Sequence, residues 1–480
     1  MKRLIVFVLV VVLYGVGIFG GFIQDDLKVI PGDPEMGRVT ALASSFTRPY
    51  YYMDGGNAGA YRPITSFSFY LNALLTGNKA WGFRLVNILL YANVCLLIFE
   101  LLKKLFSKNI AFLAAMLFIV LPIHTEAVNN IVGRAEILSL GFVILAILKQ
   151  EQRKWEMSAG MFLLALFSKE TAIIGLPILI YLIILRKETI ETKMGIISFY
   201  VLIMACYLVL RIMILGSGGL ENNATMVENP LKYVTTSQRV MNAFSLVPFG
   251  IGKVFFPFQL SYDYSFNELK LMTNWFNRQV IIGIGLVLLS LGSMFTNLRK
   301  NKIWVLGQVF FWGPLIITGN FVFPIGTIFG ERLWFWPSLG LVMMVVSIIN
   351  RYRFIHWFHS LTIMMSVLVM VFFVGRTFVR NLNWLSQDSL FIHDASYVKE
   401  SVLTQNNAAA MYMIRNDLVK GKEYLDKADT IYPKYPELMN NWGMYFLWKG
   451  DKEKSRQKFE ECLIEKPGYY LCESNINLLK

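Results

Sequence analysis

The sequence has 480 residues, of which 55% are hydrophobic and 16% are charged, and its formal net charge at pH 7 is +14. With a mean hydropathy of +0.49, a chain of this length is too apolar for a pair of soluble domains, and the composition predicts a membrane protein. The excess of Lys and Arg lies largely in short loops between apolar stretches, where it sets membrane orientation, so we predict no nucleic-acid partner.

Several apolar stretches are candidates for membrane-spanning helices, because a bilayer core of about 30 Å needs about 20 mostly apolar residues. The first follows Lys2 and Arg3 and has the pattern of a signal peptide, but its long apolar run without an A-x-A site favours a retained helix. We predict an all-α fold with about 11 transmembrane helices in a membrane domain of residues 1–380. These helices lie near residues 4–22, 83–102, 111–128, 133–148, 157–168, 171–185, 195–215, 279–296, 303–320, 332–349 and 357–378.

The distribution of basic residues predicts the orientation of these helices. By the positive-inside rule, the loops rich in Lys and Arg are cytoplasmic, as is the N-terminus, and the first external loop spans residues 23–82. Residues 239–258 are apolar but contain Pro248 and two glycines, and a crossing there would turn two later basic loops outward, so we predict a re-entrant or interfacial segment. The basic loops contain Lys103, Lys104, Lys108, Lys149, Arg153, Lys154, Arg186, Lys187, Lys193, Arg299, Lys300, Lys302, Arg351 and Arg353.

The C-terminal part, residues 381–480, is charged and amphipathic and is predicted to be a separate exoplasmic domain. Residues 402–435 and 436–469 align without gaps at a period of 34, which is the period of tetratricopeptide repeats. Small residues, turns and prolines occupy matching positions in the two segments, and a generic helical hairpin would not predict this agreement. Cys95 and Cys206 lie in apolar stretches and are predicted to pack there. Two further cysteines lie in the exported tail, where the sequence leaves a disulfide open without favouring it, at Cys462 and Cys472.

Ionisable residues collect in the loops that this topology places on the external side. Each one alone has an ordinary interpretation, since basic side chains at helix ends extend to lipid head groups and acidic ones pair locally. Together, positive and negative groups alternate on successive loops of one face, which predicts a site for an anionic lipid and a hydroxyl substrate. The set is Asp25, Asp26, Arg62, His124, Glu126, Arg134, Glu136, Lys169, Glu170, Asp263, Glu331 and Arg332.

Several of these residues lie in motifs that occur in a fixed order before the repeats. The motifs are "FIQDD", "YRPITSFSFYLN" followed by "FRLVNILLY", "PIHTEAVNNIVGRAEIL", "SKETAI", "PFQLSYDYS" and "GERLWFWPSLG". In this order the sequence resembles the transmembrane and tetratricopeptide-repeat O-mannosyltransferases, which are C-type glycosyltransferases. The resemblance implies transfer of a single sugar, mannose or another hexose, from a polyprenyl-phosphate carrier to a protein hydroxyl on the exoplasmic side, with inversion. The acceptor would be an exported protein or peptide held by the repeats.

The chemistry of such a transfer assigns roles to the external residues. A Ser or Thr hydroxyl needs a carboxylate to accept its proton, and Asp25 or Asp26 is the candidate, with a slight preference for Asp25. Arg134, Lys169 and Arg332 are candidates for binding the donor phosphate. Substrate or support roles are predicted for Arg62, His124, Glu126, Glu136, Glu170, Asp263 and Glu331.

The donor would be a co-substrate, and no tightly bound cofactor is predicted. His124 and Glu126 do not have the spacing of a zinc site, so we predict no metal site, although a divalent metal stays open. The protein would reside in the cell membrane of a prokaryote or the endoplasmic reticulum of a eukaryote. Two other classes of function stay open: a lipid or solute transporter or flippase, and a membrane scaffold that uses its repeats to bind exported proteins.

Overall fold

The computed structural model describes residues 1–51, 59–216, 224–298, 300–352 and 356–479, with the backbone alone for residues 356–359. Two of the basic residues used to predict orientation, Arg299 and Arg353, lie outside the described residues, as does part of the first external loop. Within the described part of the chain every regular element is a helix.

The first sixteen α-helices belong to the apolar part of the chain. They are α1 (Lys2–Tyr14), α2 (Asp25–Val29), α3 (Thr40–Ser44), α4 (Pro63–Thr76), α5 (Ala80–Leu105), α6 (Lys108–Ile119), α7 (Thr125–Asn129), α8 (Arg134–Glu151), α9 (Trp155–Ser168), α10 (Gly175–Ile184), α11 (Ile190–Leu215), α12 (Thr236–Phe255), α13 (Arg278–Asn297), α14 (Lys302–Thr318), α15 (Phe335–Arg351) and α16 (His356–Asn383).

Seven helical segments of the described chain are long and apolar enough to cross a membrane, and an eighth is added if one bent pair is a single span. The bent pair joins Lys108–Ile119 to Pro122–Asn129 with an angle of 56°, where the sequence predicts one helix over 111–128. The break follows from Pro122, which removes a backbone donor. The all-α, multi-span membrane fold is confirmed. The predicted number of about 11 is reached only if the bent pair and three shorter apolar helices are also counted as spans; these helices are Trp155–Ser168, Glu170–Ile184 and Lys302–Thr318.

The helices divide into buried and peripheral ones. Most residues of α8 and α15 are buried against other helices, whereas α11, α13 and α16 present most of their apolar side chains outward. One large apolar cluster runs through the buried helices and includes Leu140 and Leu339. The polar groups at the ends of the central helices are therefore surrounded by protein. The peripheral helices form the surface that lipid would cover.

Helix α12 contains the segment for which a re-entrant or interfacial location is predicted. It runs unbroken from Thr236 to Phe255 through Pro248, and Thr235 begins it with a capping box. The interruption that the proline suggested is absent from this helix, and the location relative to the membrane stays a prediction. A side chain at Gly250 would collide with the ring of Trp334, so the glycine lets α12 approach the start of α15.

The tail contains six helices, and four of them form two antiparallel hairpins. The second hairpin repeats the first 34 positions later in the chain, which confirms the tetratricopeptide repeats. Gly443 permits this packing, because a Cβ there would lie 2.4 Å from the ring of Phe459. A disulfide that the sequence did not favour joins Cys462 to Cys472. The helices are α17 (Gln387–Ala395), α18 (Val402–Ile414), α19 (Leu418–Ile431), α20 (Pro436–Trp448), α21 (Lys452–Glu465) and α22 (Tyr470–Asn477).

Candidate active site

The two adjacent aspartates at the start of α2 have different surroundings. The side chain of Asp25 is 36% exposed, and its Oδ2 lies 3.4 Å from Nη1 of Arg332. Asp26 is fully buried, and its two oxygens accept hydrogen bonds from the backbone N–H groups of Val132 (3.0 Å) and Ile23 (3.2 Å). Of the two carboxylates, Asp25 is therefore the one open to a ligand, and Asp26 fixes the segment to the turn that precedes α8. This geometry does not fit the predicted contact of Asp26 with a substrate hydroxyl.

The chain just before the aspartates is fixed by a buried arginine on α5. Arg84 donates two hydrogen bonds to the carbonyl of Gly21, at 2.6 and 3.0 Å, and one to that of Gly17 at 3.3 Å. Gly20 makes room for this guanidinium, because a Cβ there would lie 2.5 Å from it. Gln24 then adopts a positive φ of 52°, a strained conformation that proteins keep mainly at functional sites. The backbone that carries Asp25 is thus held on both sides.

Arg332 lies between two carboxylates from different parts of the chain. Its guanidinium is 3.4 Å from Asp25 and 3.5 Å from Oε1 of Glu126, and its backbone N–H donates to Oε2 of Glu126 at 2.8 Å. Glu126 is almost fully buried on α7, whereas the Arg332 side chain is 28% exposed. Two negative partners keep this cation in place and leave part of it open to an anionic ligand.

Two further ion pairs lie near this group, at the junction of α9 and α10. Arg62 binds Glu170 through two hydrogen bonds, of 2.6 and 3.0 Å, and Lys169 pairs with the buried Glu136. Lys169 also interacts electrostatically with Arg62 and Glu170, and Arg332 interacts in the same way with Glu136. Charged residues from five of the quoted motifs therefore interact with one another in the structure.

A tyrosine that the sequence analysis did not single out lies among these charges. Burial, reinforced by the negative charge of Asp25, raises the pKa of the Tyr51 hydroxyl above its ordinary value, and Arg62 and Arg332 oppose this shift. The neighbouring Tyr50 is buried, and its hydroxyl has no hydrogen-bond partner among the described residues; the Arg62 guanidinium lies 5.1 Å from its ring centre. The consecutive tyrosines in the first external loop were the available sequence signal, because aromatic rings often line sites that bind sugars or cations.

Two predicted site residues are instead enclosed by protein. Arg134 has no exposed surface, and its guanidinium donates to four residues of α4 and α5, which are Asn87, Asn72, Ser68 and Phe83. His124 is equally buried, with hydrogen bonds of 2.9 Å to the Tyr91 hydroxyl and 2.7 Å to that of Ser338. Neither side chain has an atom free to meet a donor phosphate, so their geometry suits a supporting role.

The last two predicted residues, Glu331 and Asp263, meet at the loop between α12 and α13: Glu331 binds this loop and Asp263 belongs to it. The buried carboxylate of Glu331 accepts hydrogen bonds from the Ser261 backbone and the Tyr264 hydroxyl, both at 2.7 Å. Asp263 points the other way and accepts from Ser401 at the start of the repeats, at 2.8 Å. These two acids connect the site to the tail and do not line the opening beside Asp25.

The arrangement can accept a proton at Asp25 and hold an anion at Arg332. Among the described residues, no group of three or more His, Cys, Asp and Glu side chains is placed to bind a metal ion. The groups open to a ligand are thus an exposed carboxylate, a guanidinium and neighbouring aromatic rings.

Protonation of Asp26 should make the stability of the protein depend on pH. Burial raises the pKa of Asp26 to about 7, against the opposing effects of the Arg84 charge and backbone hydrogen bonds. Because the folded pKa lies above the unfolded one, this contribution to stability is fully present below about pH 4 and is lost as the pH rises through about 7. The slope is at most about 1.4 kcal/mol per pH unit.

We expect the Asp26→Asn variant to be less stable overall, because an amide cannot accept from both backbone donors, but flatter in its pH response. Thermal unfolding of the detergent-solubilised protein at pH 5 and pH 7.5 measures this. Equal losses of stability in parent and variant over that range would contradict the assignment.

Comparison with known proteins places this geometry in context. The family model described as dolichyl-phosphate-mannose-protein mannosyltransferase matches residues 62–212. The protein O-mannosyl-transferase F38B6.6 of Caenorhabditis elegans is 26% identical over 78% of this chain and 54% of its own length. The human protein O-mannosyl-transferases TMTC1 and TMTC3 are 25% and 23% identical, over 90% and 88% of this chain and 55% and 50% of their own lengths.

The chain spans about half the length of the curated relatives it matches. The matches to the two human proteins nevertheless run through both the apolar helices and part of the repeats, since they cover 90% and 88% of this chain. Combined with the ordered motifs and the two 34-residue hairpins, they support a relation to the transmembrane and tetratricopeptide-repeat O-mannosyltransferases, to which the chain is similar.

Proposed function

We propose that the protein is a membrane glycosyltransferase that moves one mannose or other hexose from a polyprenyl-phosphate carrier to a protein hydroxyl on the exoplasmic side, with inversion. The observation that carries this proposal is the part-exposed Asp25 carboxylate, 3.4 Å from the Arg332 guanidinium and shortly after the first apolar helix. The relatives are named protein O-mannosyl-transferases, which favours mannose as the sugar and a protein as the acceptor.

Asp25 is the proposed general base. The acceptor hydroxyl gives its proton to the carboxylate while its oxygen forms a bond to the anomeric carbon of the sugar. The bond from that carbon to the phosphate oxygen breaks on the opposite face, and the carrier leaves as a lipid phosphate. Because Asp26 is enclosed and its oxygens are occupied, we assign it to positioning α2.

Arg332 is the proposed ligand of the donor phosphate. Negative charge grows on the leaving phosphate in the transition state, and a fixed guanidinium stabilises it. On donor binding Arg332 would exchange its long contact with Asp25 for the phosphate, while Glu126 keeps its backbone in place at 2.8 Å. Lys169 and Arg62 add positive charge nearby, although each is already paired with a glutamate.

An apolar groove beside Arg332 supports a lipid-linked donor. It is lined by apolar residues of α12 and α14 and by Leu333 and Trp334, which directly follow Arg332 in the chain. The first isoprene units of a carrier whose phosphate sits at Arg332 would fit against these side chains. The rest of the tail would lie in the bilayer.

The tail is proposed to be exoplasmic, on the same side as the site. The disulfide between Cys462 and Cys472 supports this location, because disulfides persist in oxidising compartments and are rare in the cytosol. The contacts of Asp263 with the first repeat also require the repeats and the external loops to share one side.

The position of the charges favours an enzyme over a transporter. Asp25, Glu126 and Arg332 lie at helix ends or in loops between apolar segments, whereas a transporter binds its substrate near the bilayer midplane. A scaffold would have no use for a strained segment that presents one carboxylate to a part-exposed guanidinium.

The purified protein tests the proposal directly. Incubation with polyprenyl-phosphate mannose and a Ser- and Thr-rich peptide should add one hexose to the peptide, detected by mass spectrometry. The released polyprenyl phosphate should appear in equal amount. Absence of peptide glycosylation together with an unchanged donor, for mannose and glucose donors alike, would argue against it.

Removal of the proposed phosphate ligand should weaken use of the donor. We expect Arg332→Ala to raise the donor KM about tenfold or more, because a charge-assisted contact contributes about 1.5 to 3 kcal/mol. Arg332→Lys keeps the charge but not the two-pronged geometry, so its KM should be intermediate. Initial rates at varied donor concentration measure the effect, and partial recovery at high donor is expected. An unchanged donor KM in Arg332→Ala would place the phosphate elsewhere.

A further inference from the structure

The loop between α12 and α13 joins the proposed active site to the repeats. We define residues 259–268 as the bridging loop. On one side its Ser261 backbone N–H and Tyr264 hydroxyl bind Glu331, the residue before Arg332. Because Glu331 is fully buried, this attachment is shielded from water. The bridging loop is therefore fixed to the segment that carries the proposed phosphate ligand.

On its other side the bridging loop binds the first repeat. Asp263 Oδ2 accepts hydrogen bonds from the hydroxyls of Ser401 at 2.8 Å and Thr404 at 3.3 Å. Ser401 is the N-cap of α18, so the carboxylate holds the first helix of the repeats at its start. Both hydroxyl-bearing residues are fully buried.

Backbone and charged contacts extend this attachment along the bridging loop. Its backbone pairs with residues 400 and 402, through hydrogen bonds of 2.7 and 2.8 Å. The Tyr262 N–H donates to Asp394 at 2.8 Å, and Asp394 forms a buried two-pronged ion pair with Arg380 of α16, at 2.5 and 2.9 Å. The tail is thus tied to the loop and also to the last membrane helix.

A small apolar core connects the same elements to the proposed base. Ile23, two residues before Asp25, packs in one cluster with Tyr262, Trp384 and two residues of α17. The backbone N–H of Gly21 also donates to the carbonyl of Leu385, at 2.9 Å. The chain that presents Asp25 therefore touches both the bridging loop and the beginning of the tail.

We propose that the bridging loop holds the first repeat at a fixed position relative to Asp25, and that Asp263 is a positioning residue for transfer to repeat-bound protein acceptors. The inference rests on the proposed function. A protein bound to a rigidly placed repeat presents its hydroxyl at a high effective concentration, whereas a repeat free to swing loses this advantage. A short peptide that cannot span the repeats gains nothing from it.

Two acceptors and one conservative variant test the proposal. The protein acceptor is the soluble exported fraction of cells that lack this chain, and the peptide acceptor is a Ser- and Thr-containing hexapeptide. With radiolabelled polyprenyl-phosphate mannose, Asp263→Asn should lower incorporation into protein about tenfold or more, with peptide transfer within about twofold of the parent. Asp388→Asn, which breaks an exposed ion pair within the tail, is the matched control and should change neither.

A covalent replacement of the lost contact should restore the activity. The hydroxyl oxygens of Ser265 and Ser401 lie 3.1 Å apart, so Cys at both positions can form a disulfide when oxidised glutathione accepts the two electrons. In the Asp263→Asn background this oxidised triple variant should regain protein transfer. Dithiothreitol should remove the gain, with the parent treated alike as the control for reduction of the native disulfide.

The outcomes separate this inference from the proposed function. An Asp263→Asn variant that glycosylates both acceptors normally would overturn the inference while the parent still shows the activity. Equal losses with both acceptors would also overturn it, because the loop would then support the membrane site itself. A parent that transfers sugar to neither acceptor would refute the proposed function and this inference with it.

Discussion

Replacing Asp25 by Asn should lower the rate of sugar transfer by about 10² to 10⁴-fold, which is the usual contribution of a general base. The amide has nearly the same shape as the carboxylate but cannot accept the proton of the acceptor hydroxyl. The donor KM should change little, since Arg332 keeps its contacts with Glu126. Transfer to the hexapeptide at saturating donor measures the effect.

Two comparisons make this result specific to the base. Asp25→Glu keeps a carboxylate but moves it, so it should retain more activity than Asp25→Asn. Expression and thermal stability of Asp25→Asn should match the parent, because the side chain is 36% exposed and its ion pair with Arg332 is long. Near-normal turnover of the Asn variant would mean that the aspartates only begin a helix and that another group accepts the proton.

The membrane helices and the repeats were predictable because each depends on a local pattern. Apolar stretches of sufficient length, such as Ala80–Leu105 and Ile190–Leu215, can be read directly from the sequence. The repeats were predictable from their period, and α18 and α20 begin 34 positions apart. The bend after Ile119 was missed, because the apolar pattern continues across the break.

The candidate site was predictable as a set of residues but not as individual roles. Asp25 and Asp26 are neighbours in sequence, and only the approach of the Val132 backbone buries one of them. Arg134 and Arg332 likewise each lie within one of the quoted motifs, but α4 and α5 enclose Arg134. Burial of this kind depends on which helices pack together, which a single sequence does not reveal.

The attachment of the tail was not predicted either, because it depends on contacts between distant parts of the chain. Asp263 belongs to a motif that was assigned to the substrate or to support, and its hydrogen-bond partners in the tail, Ser401 and Thr404, lie more than 130 residues later in the chain. The disulfide was left open because two cysteines ten residues apart can be bridged only if the intervening chain turns back. Here the turn between α21 and α22 brings them together.

Arg134 provides the clearest contrast between support and catalysis. We expect Arg134→Ala to reduce the amount of folded protein severely, because four buried acceptor groups on α4 and α5 would lose their donor. Each unsatisfied buried acceptor costs about 1 to 3 kcal/mol, so the sum is comparable with the whole stability of many domains. Yield of monodisperse protein in detergent and its thermal midpoint measure the loss.

Arg332→Ala is the matched control, because it removes the same side chain from a position 28% exposed and should leave folded protein in near-normal amount. The two variants should then differ in what they lose: Arg134→Ala should fail to fold, whereas Arg332→Ala should fold but need more donor. Arg134→Lys should recover only part of the yield, since an ammonium cannot reach acceptors that a planar guanidinium with five N–H donors spans. If Arg134→Ala instead folds normally and raises the donor KM, then α4 and α5 must open in solution. The phosphate would in that case bind at Arg134, as the sequence first suggested.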